Sequence, residues 1–165
     1  MARLRGVREV TRVRNFLFVG VVVVAVMAGV AAAPVMAAPA SDACALLTAE
    51  QVGDAVGAKV GAGTYTAPGF TKTCTWVTKG IIVTLMLEEE KMFQAGKTAP
   101  APGIEVTPAS GLGDDAYYVT IAQMVALHVK KGSSAFKATV YSSSMPMDKR
   151  KGMEKTLAQQ VLSKL

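Results

Sequence analysis

The stretch MVALHVKKGSSAFKATVYS, residues 124–142, decides the fold that the sequence predicts. Apolar and polar residues alternate along both of its halves, Met124–Lys130 and Ala135–Ser142, as they do in strands with one face on a core. The segment Lys131-Gly132-Ser133 between them is typical of a hairpin turn. We therefore expect two antiparallel strands. Their core side chains are Val125, Leu127, Val129, Phe136, Ala138 and Val140.

Three more segments have the β-branched and aromatic composition of strands. They are Thr73–Thr78, Ile81–Leu87 and Ala116–Ile121. The dipeptide Lys79-Gly80 joins the first two as a turn, and Ala122-Gln123 leads from the third into the hairpin. Together these segments predict an antiparallel sheet of about five strands, with one face packed on a core and the other face partly exposed to solvent.

Helices are predicted before and after the strands. Thr48 and Gln51 have the spacing of a capping box at the start of a short helix, which Gly57 ends. A longer amphipathic helix is predicted over Met147–Leu165, with Ser142–Ser144 as the loop and N-cap before it. Its apolar stripe comprises Met153, Leu157, Ala158, Val161, Leu162 and Leu165.

The segment Glu88–Lys97 predicts a third, short helix, with Met92 and Phe93 facing inward and with charges that suit the helix dipole. The Ala- and Pro-rich segment Thr98–Gly103 is typical of a loop and is too short to separate domains. The predicted fold class is therefore α+β. We expect one domain, in which an antiparallel sheet has the N-terminal and C-terminal helices packed on one face.

The first forty residues have the pattern of a signal peptide. Five arginines precede the apolar run Phe16–Ala33, and a proline follows it. Cleavage is expected after Ala40, which leaves a single domain that begins at Ser41, and a second site of the same kind follows Ala37. The run is also nearly long enough to span a bilayer, so a retained membrane anchor is the alternative.

Removal of this segment changes the charge of the chain. Residues 1–40 hold five of the 18 basic residues and one of the 12 acidic ones, so the net charge falls from +6 to +2. A nearly neutral domain lacks the basic surface of a nucleic-acid-binding protein. We expect a periplasmic or extracellular protein with no nucleic-acid partner, which touches a membrane only through an uncleaved N-terminal segment.

The two cysteines, Cys44 and Cys74, are expected to form a disulfide, because exported chains reach an oxidising compartment. The 30 positions between them exclude the Cys-x-x-Cys spacing of a thioredoxin-like centre. The alternative to a disulfide is a nucleophilic thiol with His128 as its base. It has no identifiable third residue to orient the histidine.

No catalytic or metal-ligating pattern is identifiable elsewhere. His128 is the one histidine and is expected to be a surface or half-buried side chain. Glu88–Glu90 predicts a solvated helix start, and Asp114 with Asp115 predicts a tight turn with an Asx-type cap. We expect no cofactor and no metal. The methionines expected to fill the core rather than to bind copper are Met124, Met145, Met147 and Met153.

Several short motifs occur in a familiar order. They are CALLT at Cys44–Thr48, CTW at Cys74–Trp76, GLGDDAYY at Gly111–Tyr118, VKKG at Val129–Gly132 and a final LAQQVLSKL. In this order they resemble a group of small exported bacterial proteins without assigned function. More distantly, the chain is similar to a domain-of-unknown-function family of secreted actinobacterial lipoproteins. The resemblance covers about Asp42–Leu165, and it implies an α+β fold, an envelope location and no catalytic residue. The chain lacks the lipidation site of the lipoproteins.

We therefore expect an exported, non-catalytic domain that binds or supports an unidentified envelope protein or small ligand. A small secreted hydrolase is the alternative from another class, with a carboxylate site among Asp114, Asp115 and Glu88–Glu90. A membrane-anchored structural subunit is the third hypothesis, if the apolar run is retained. A deep pocket with a carboxylate of strongly shifted pKa would favour the enzyme, whereas an exposed apolar patch on the sheet would favour binding.

Overall fold

A computed structural model describes residues 40–98 and 100–165 of the chain. The arginine-rich start, the apolar run Phe16–Ala33 and the cleavage site after Ala37 lie outside these residues. Cleavage after Ala40 and retention of an anchor therefore both stay predictions. Within the described residues, no helix is both long and apolar enough to cross a membrane.

Seven antiparallel strands form one sheet in this part of the chain. The strands are β1 (Thr64–Tyr65), β2 (Thr73–Thr78), β3 (Ile81–Glu88), β4 (Ile104–Pro108), β5 (Asp115–Ile121), β6 (Met124–Lys131) and β7 (Ser134–Tyr141). Their order across the sheet is β1-β2-β3-β7-β6-β5-β4. The strands β1–β3 and β4–β7 are therefore two meanders, which the pairing of β3 with β7 joins at the middle of the sheet.

The predicted hairpin is present as β6 and β7. Leu127 of β6 and Leu85 of β3 face Ala138 of β7 from its two sides. All three residues are buried, because the alternation of each strand directs its apolar side chains to the same side of the sheet. This side is called the core face.

The prediction of about five strands is wrong by two, and both missing strands lie at the edges of the sheet. β1 is two residues long and exposed, so it has no alternation from which to be read. β4 follows an Ala- and Pro-rich segment and ends at Pro108. Edge strands tolerate proline, because one of their sides needs no hydrogen-bond donors.

Two helices pack on the core face. α1 (Ala49–Val56) and α3 (Met147–Leu162) contact each other, and α3 also lies on β6 and β7. The predicted capping box starts α1: the Thr48 hydroxyl accepts from the Gln51 N–H, and the Gln51 side chain accepts from the Thr48 N–H. The helix ends at Gly57, whose φ of 69° is the left-handed conformation that glycine adopts at low cost.

The middle of the predicted α3 stripe is buried and the helix begins at Met147 as predicted, but its predicted N-cap and its predicted C-terminal end are wrong. The buried stripe residues are Met153, Leu157, Ala158 and Val161. The N-cap residue is Pro146, and it makes no side-chain cap bond, so Ser142–Ser144 do not cap the helix. Proline is favoured near helix starts because its φ is already helical. The helix ends at Leu162 rather than at Leu165.

α2 (Glu90–Thr98) packs on the opposite face of the sheet, which is called the α2 face. Its buried residue Phe93 clusters with Tyr117 and Ala135, and both of these alternate with residues of the core face. The prediction that Met92 also faces inward is wrong, since its exposed fraction is 64%. Successive helical residues point about 100° apart, so a helix seated through one side chain turns the next one away.

Candidate functional site

His128 and Glu88 form a nearly buried pair on the α2 face. The His128 Nδ1 and Glu88 Oε2 atoms are 2.9 Å apart, and 11% and 7% of the two side chains are exposed. The prediction that His128 is a surface or half-buried side chain is therefore wrong. The residues lie on β6 and β3, with β7 between them, and Ala135 is the β7 residue that faces Glu88. Because the alanine side chain is short, the carboxylate reaches the imidazole across that strand. A histidine held by a carboxylate supplies two of the three groups of a catalytic triad.

Tyr117 completes this cluster as a packing residue. Its ring stacks on the His128 imidazole with centroids 4.8 Å apart, and its hydroxyl donates to the Phe93 carbonyl at 2.7 Å. Burial, followed by the negative charge of Glu88, raises the pKa of Tyr117. A phenol that keeps its proton at neutral pH and is engaged with a backbone carbonyl does not supply the missing nucleophile. A Cβ at Gly96 would lie 2.7 Å from the Tyr117 hydroxyl oxygen, so glycine lets α2 approach this closely.

A groove of about 560 Å³ adjoins the pair. Glu88 lines this groove together with Ser41 and Ser133, whereas His128 does not line it. The groove therefore opens on the carboxylate and not on the imidazole, which is the reverse of what a triad needs. The predicted solvated helix start holds for Glu89 and Glu90, which are exposed, and is wrong for Glu88.

The other carboxylates of the hydrolase hypothesis are each held by a separate partner. The ion pairs are Glu89–Lys72 at 3.2 Å, Asp115–Lys97 at 2.6 Å and Glu90–Lys130. Asp114 accepts the N–H of Gly132 at 2.6 Å, so it stabilises the turn between β6 and β7 rather than its own. Residues 40–98 and 100–165 contain no group of three His, Cys, Asp or Glu side chains that could hold a metal ion.

α3 inserts two ionisable side chains, Arg150 and Glu154, at the place where β6 and β7 separate, which is called the seam. The backbone pairing of these strands ends at Leu127 and Ala138. The first three residues of β6 and the last three of β7 are therefore not paired with each other. Glu154 Oε1 accepts the N–H of Val140 at 2.9 Å, and Arg150 Nη2 donates to the Gln123 carbonyl at 2.6 Å. Both side chains are buried. α3 therefore supplies hydrogen bonds that the two strands do not make with each other.

Burial raises the pKa of Glu154 from 4.5 to about 8, against the opposing effects of the Val140 N–H and of the positive charges of Arg150 and Lys151. Its Oε2 atom has no hydrogen-bond partner among the described residues. Because the residue is 0% exposed, the raised pKa reflects packing and not a surface that a substrate could reach. Glu154 is not among the residues that the sequence singles out. The only signal is its four-residue spacing from Ala158 on the buried stripe.

Cys44 and Cys74 form a disulfide with Cα atoms 5.0 Å apart, as the sequence predicts. Cys74 lies in β2 and Cys44 lies before α1, so the bond ties the start of the domain to the sheet. The N–H of Ala43 adds a hydrogen bond of 2.8 Å to the Thr71 carbonyl. Neither of the two cysteines in the sequence is free, which excludes the nucleophilic-thiol hypothesis for this state.

The part of the α2 face that α2 leaves uncovered carries a line of exposed apolar side chains. Each side chain has an exposed fraction between 40% and 56%, so the prediction that Met124 fills the core is wrong. From β2 to β5 they are Val77, Ile82, Tyr141, Met124 and Ile121, and they are called the apolar row. The pairs that face each other across neighbouring strands are Val77 with Ile82, Ile82 with Tyr141, and Met124 with Ile121. The row is interrupted only by the seam, which lies between Met124 and Tyr141.

The chain matches no protein-family model, and no curated protein or solved structure matches it. The resemblance to small exported bacterial proteins and to secreted actinobacterial lipoproteins therefore stays a prediction. Among the described residues, the His128–Glu88 pair and the apolar row are the two candidate functional sites.

Proposed function

We propose that this protein is an exported, non-catalytic domain that binds a partner protein of the cell envelope through the apolar row. The observation that carries the proposal is the exposure of five large apolar side chains in one line on one face. At about half exposure each, with roughly 150–250 Å² for a fully exposed aromatic side chain and less for Val, Ile and Met, they present on the order of 400 Å². Apolar patches of about this size on small soluble proteins are often functional.

The proposed lack of catalysis rests on how the polar side chains are used. His128 is held by Glu88 and covered by Tyr117. General acid–base chemistry needs two groups that face one reacting bond, and the carboxylates named above are each held by a different partner. Glu154, which has the strongly raised pKa, is fully buried.

The proposed location rests on the N-terminal pattern and on the disulfide. An arginine-rich start followed by an apolar run and small residues is typical of a signal peptide. A disulfide is rare in reducing compartments, and here it ties the start of the domain to the sheet. Both features agree with a protein of the periplasm or of the extracellular space.

A test compares two doubly substituted proteins that lose similar amounts of exposed apolar surface. The row variant carries Met124→Ser and Tyr141→Ser, and the control carries Met92→Ser and Phe70→Ser at exposed positions outside the row. Full-length tagged chains are produced in their own host, crosslinked chemically in intact cells and purified. A crosslinked partner should be retained by the natural chain and by the control and lost at least tenfold in the row variant. Equal recovery with both variants would contradict the proposal.

A further inference from the structure

We infer that the partner docks an amphipathic α-helix with an acidic flank, which lies across the strands beside α2. This inference rests on the proposed function, and it adds the shape and the charge of the occupant. Its basis is the juxtaposition of α2, the apolar row and Lys137 on one face of the sheet.

α2 shows that this face accepts a helix that crosses the strands. It connects β3 with the edge strand β4, and β7, β6 and β5 lie between these two in the sheet. Its nine residues extend about 13 Å, close to the roughly 14 Å of the three strand spacings from β3 to β5, and Lys97 near its end pairs with Asp115 of β5. Its buried residue Phe93 is seated against Tyr117 of β5 and Ala135 of β7. α2 and the apolar row therefore run in the same direction across the sheet.

The uncovered strip beside α2 has the width of one more helix. Tyr117 lies under α2, and Ile121 of the row is four positions further along β5, which corresponds to about 13 Å. Packed helices need about 8–10 Å between their axes. The residues between the two lines include Ala126, Thr84 and Thr139, whose side chains are short and would form a shallow floor.

The spacing along the row also suits a helix. Neighbouring strands are about 4.8 Å apart, and one helical turn rises about 5.4 Å. On either side of the seam, where the strands of the row are paired, a helix with apolar residues at i, i+3 or i+4 and i+7 would therefore place about one side chain against each strand.

The positive charges on and beside the α2 face favour an acidic partner. The Glu88 carboxylate reaches the level of the Tyr117–His128 pair and is held by His128, and beyond this level no carboxylate of the described strands occupies a position on the α2 face as far as the apolar row. Lys137 lies on this face between His128 and Met86, and it has no ion-pair partner among residues 40–98 and 100–165. Lys79 lies in the turn at the Val77 end of the row. Complementary charge sets partner choice and orientation at such surfaces.

The test places a photo-crosslinking amino acid, p-benzoylphenylalanine, at Met124 in one full-length chain and at the exposed Met92 in a second chain. Both chains are produced in the natural host and irradiated in intact cells, and the crosslinked segment is identified by mass spectrometry. We expect adducts at Met124 with a segment whose apolar residues repeat every three or four positions and whose flank carries Asp or Glu. Lys137→Glu should lower their yield about tenfold, and Lys155→Glu, on α3 and exposed, should not.

Each other outcome has a distinct meaning. Adducts at Met124 with an alternating, strand-like segment or with lipid would overturn the helix inference. So would a helical segment with a basic flank, or a yield that Lys137→Glu leaves unchanged. If the adduct at Met124 is with a protein segment of any of these kinds, the proposed function remains supported. Adducts no stronger at Met124 than at Met92 would overturn both.

Discussion

Glu154→Gln should stabilise the domain in alkaline solution and destabilise it slightly in acid. Burial holds the pKa of Glu154 at about 8 in the folded protein, against an ordinary value of 4.5. Between these two values the folded state keeps a proton that the unfolded chain has released. The contribution of this group to stability is therefore fully present below pH 4.5 and is lost as the pH rises through 8.

The magnitude follows from the size of the shift. Each pKa unit corresponds to ~1.36 kcal/mol, so roughly 4–5 kcal/mol is lost between pH 4.5 and pH 9. Glutamine keeps an oxygen that can accept the Val140 N–H, and it cannot ionise. Its amide group takes the place of Oε2, which has no partner among the described residues, and an unpaired amide costs about 1–3 kcal/mol. We expect the variant to be about 2 kcal/mol more stable at pH 9 and about 1–2 kcal/mol less stable at pH 5.

The measurement is urea-induced unfolding of the oxidised domain at pH 5, 7 and 9. The matched control is Glu105→Gln, on the exposed side of β4, whose stability should follow the natural chain at every pH. The difference between the Glu154 variant and the natural chain should change sign between pH 5 and pH 9. Parallel curves for the two proteins would show that Glu154 does not titrate in this range, and the reasoning would be refuted.

Further outcomes are expected at three places in the chain. Cys44→Ser with Cys74→Ser should lower the free energy of unfolding by roughly 3–4 kcal/mol in denaturant titration, because the bond closes a loop of about 30 residues; a loss below about 1 kcal/mol would contradict this. Gly96→Ala should cost about 1–3 kcal/mol, because its Cβ meets the Tyr117 hydroxyl at 2.7 Å. In a Tyr117→Phe background the same change should be neutral or stabilising, and an unchanged cost would reject the proposed clash. The intact mass of the exported protein should correspond to a chain that begins at Ser41; a mass that includes residue 1 would favour the retained anchor.

The sequence reveals features that depend on near neighbours in the chain. Alternation in residues 124–142 predicts the β6–β7 hairpin, because the pleat of a strand requires it. The Thr48–Gln51 spacing predicts the start of α1, because both capping bonds form within one turn. The pairing of Cys44 with Cys74 follows from their number and the expected compartment.

The features that the sequence does not reveal depend on distant segments. Glu88 meets His128 only because the sheet order places β7, with its short Ala135, between β3 and β6. Glu154 is buried because β6 and β7 separate in front of α3, and nothing local in its helix marks that. The apolar row could not be assembled without the strand order, since its members come from five strands that each look half-exposed on their own.

The central strand of this sheet is also the last one to be made. β7 is the fourth of the seven strands in space and the seventh in sequence, and it pairs with β3 about fifty residues earlier in the chain. A chain that emerges from its N-terminus can form the β2–β3 hairpin early, but it cannot join the two meanders before residue 134 has appeared. Contacts this distant also slow the search for the native pairing. In a chain exported as its N-terminus predicts, this order of synthesis delays the pairing of β3 with β7. The chain can therefore cross a membrane while it is still extended.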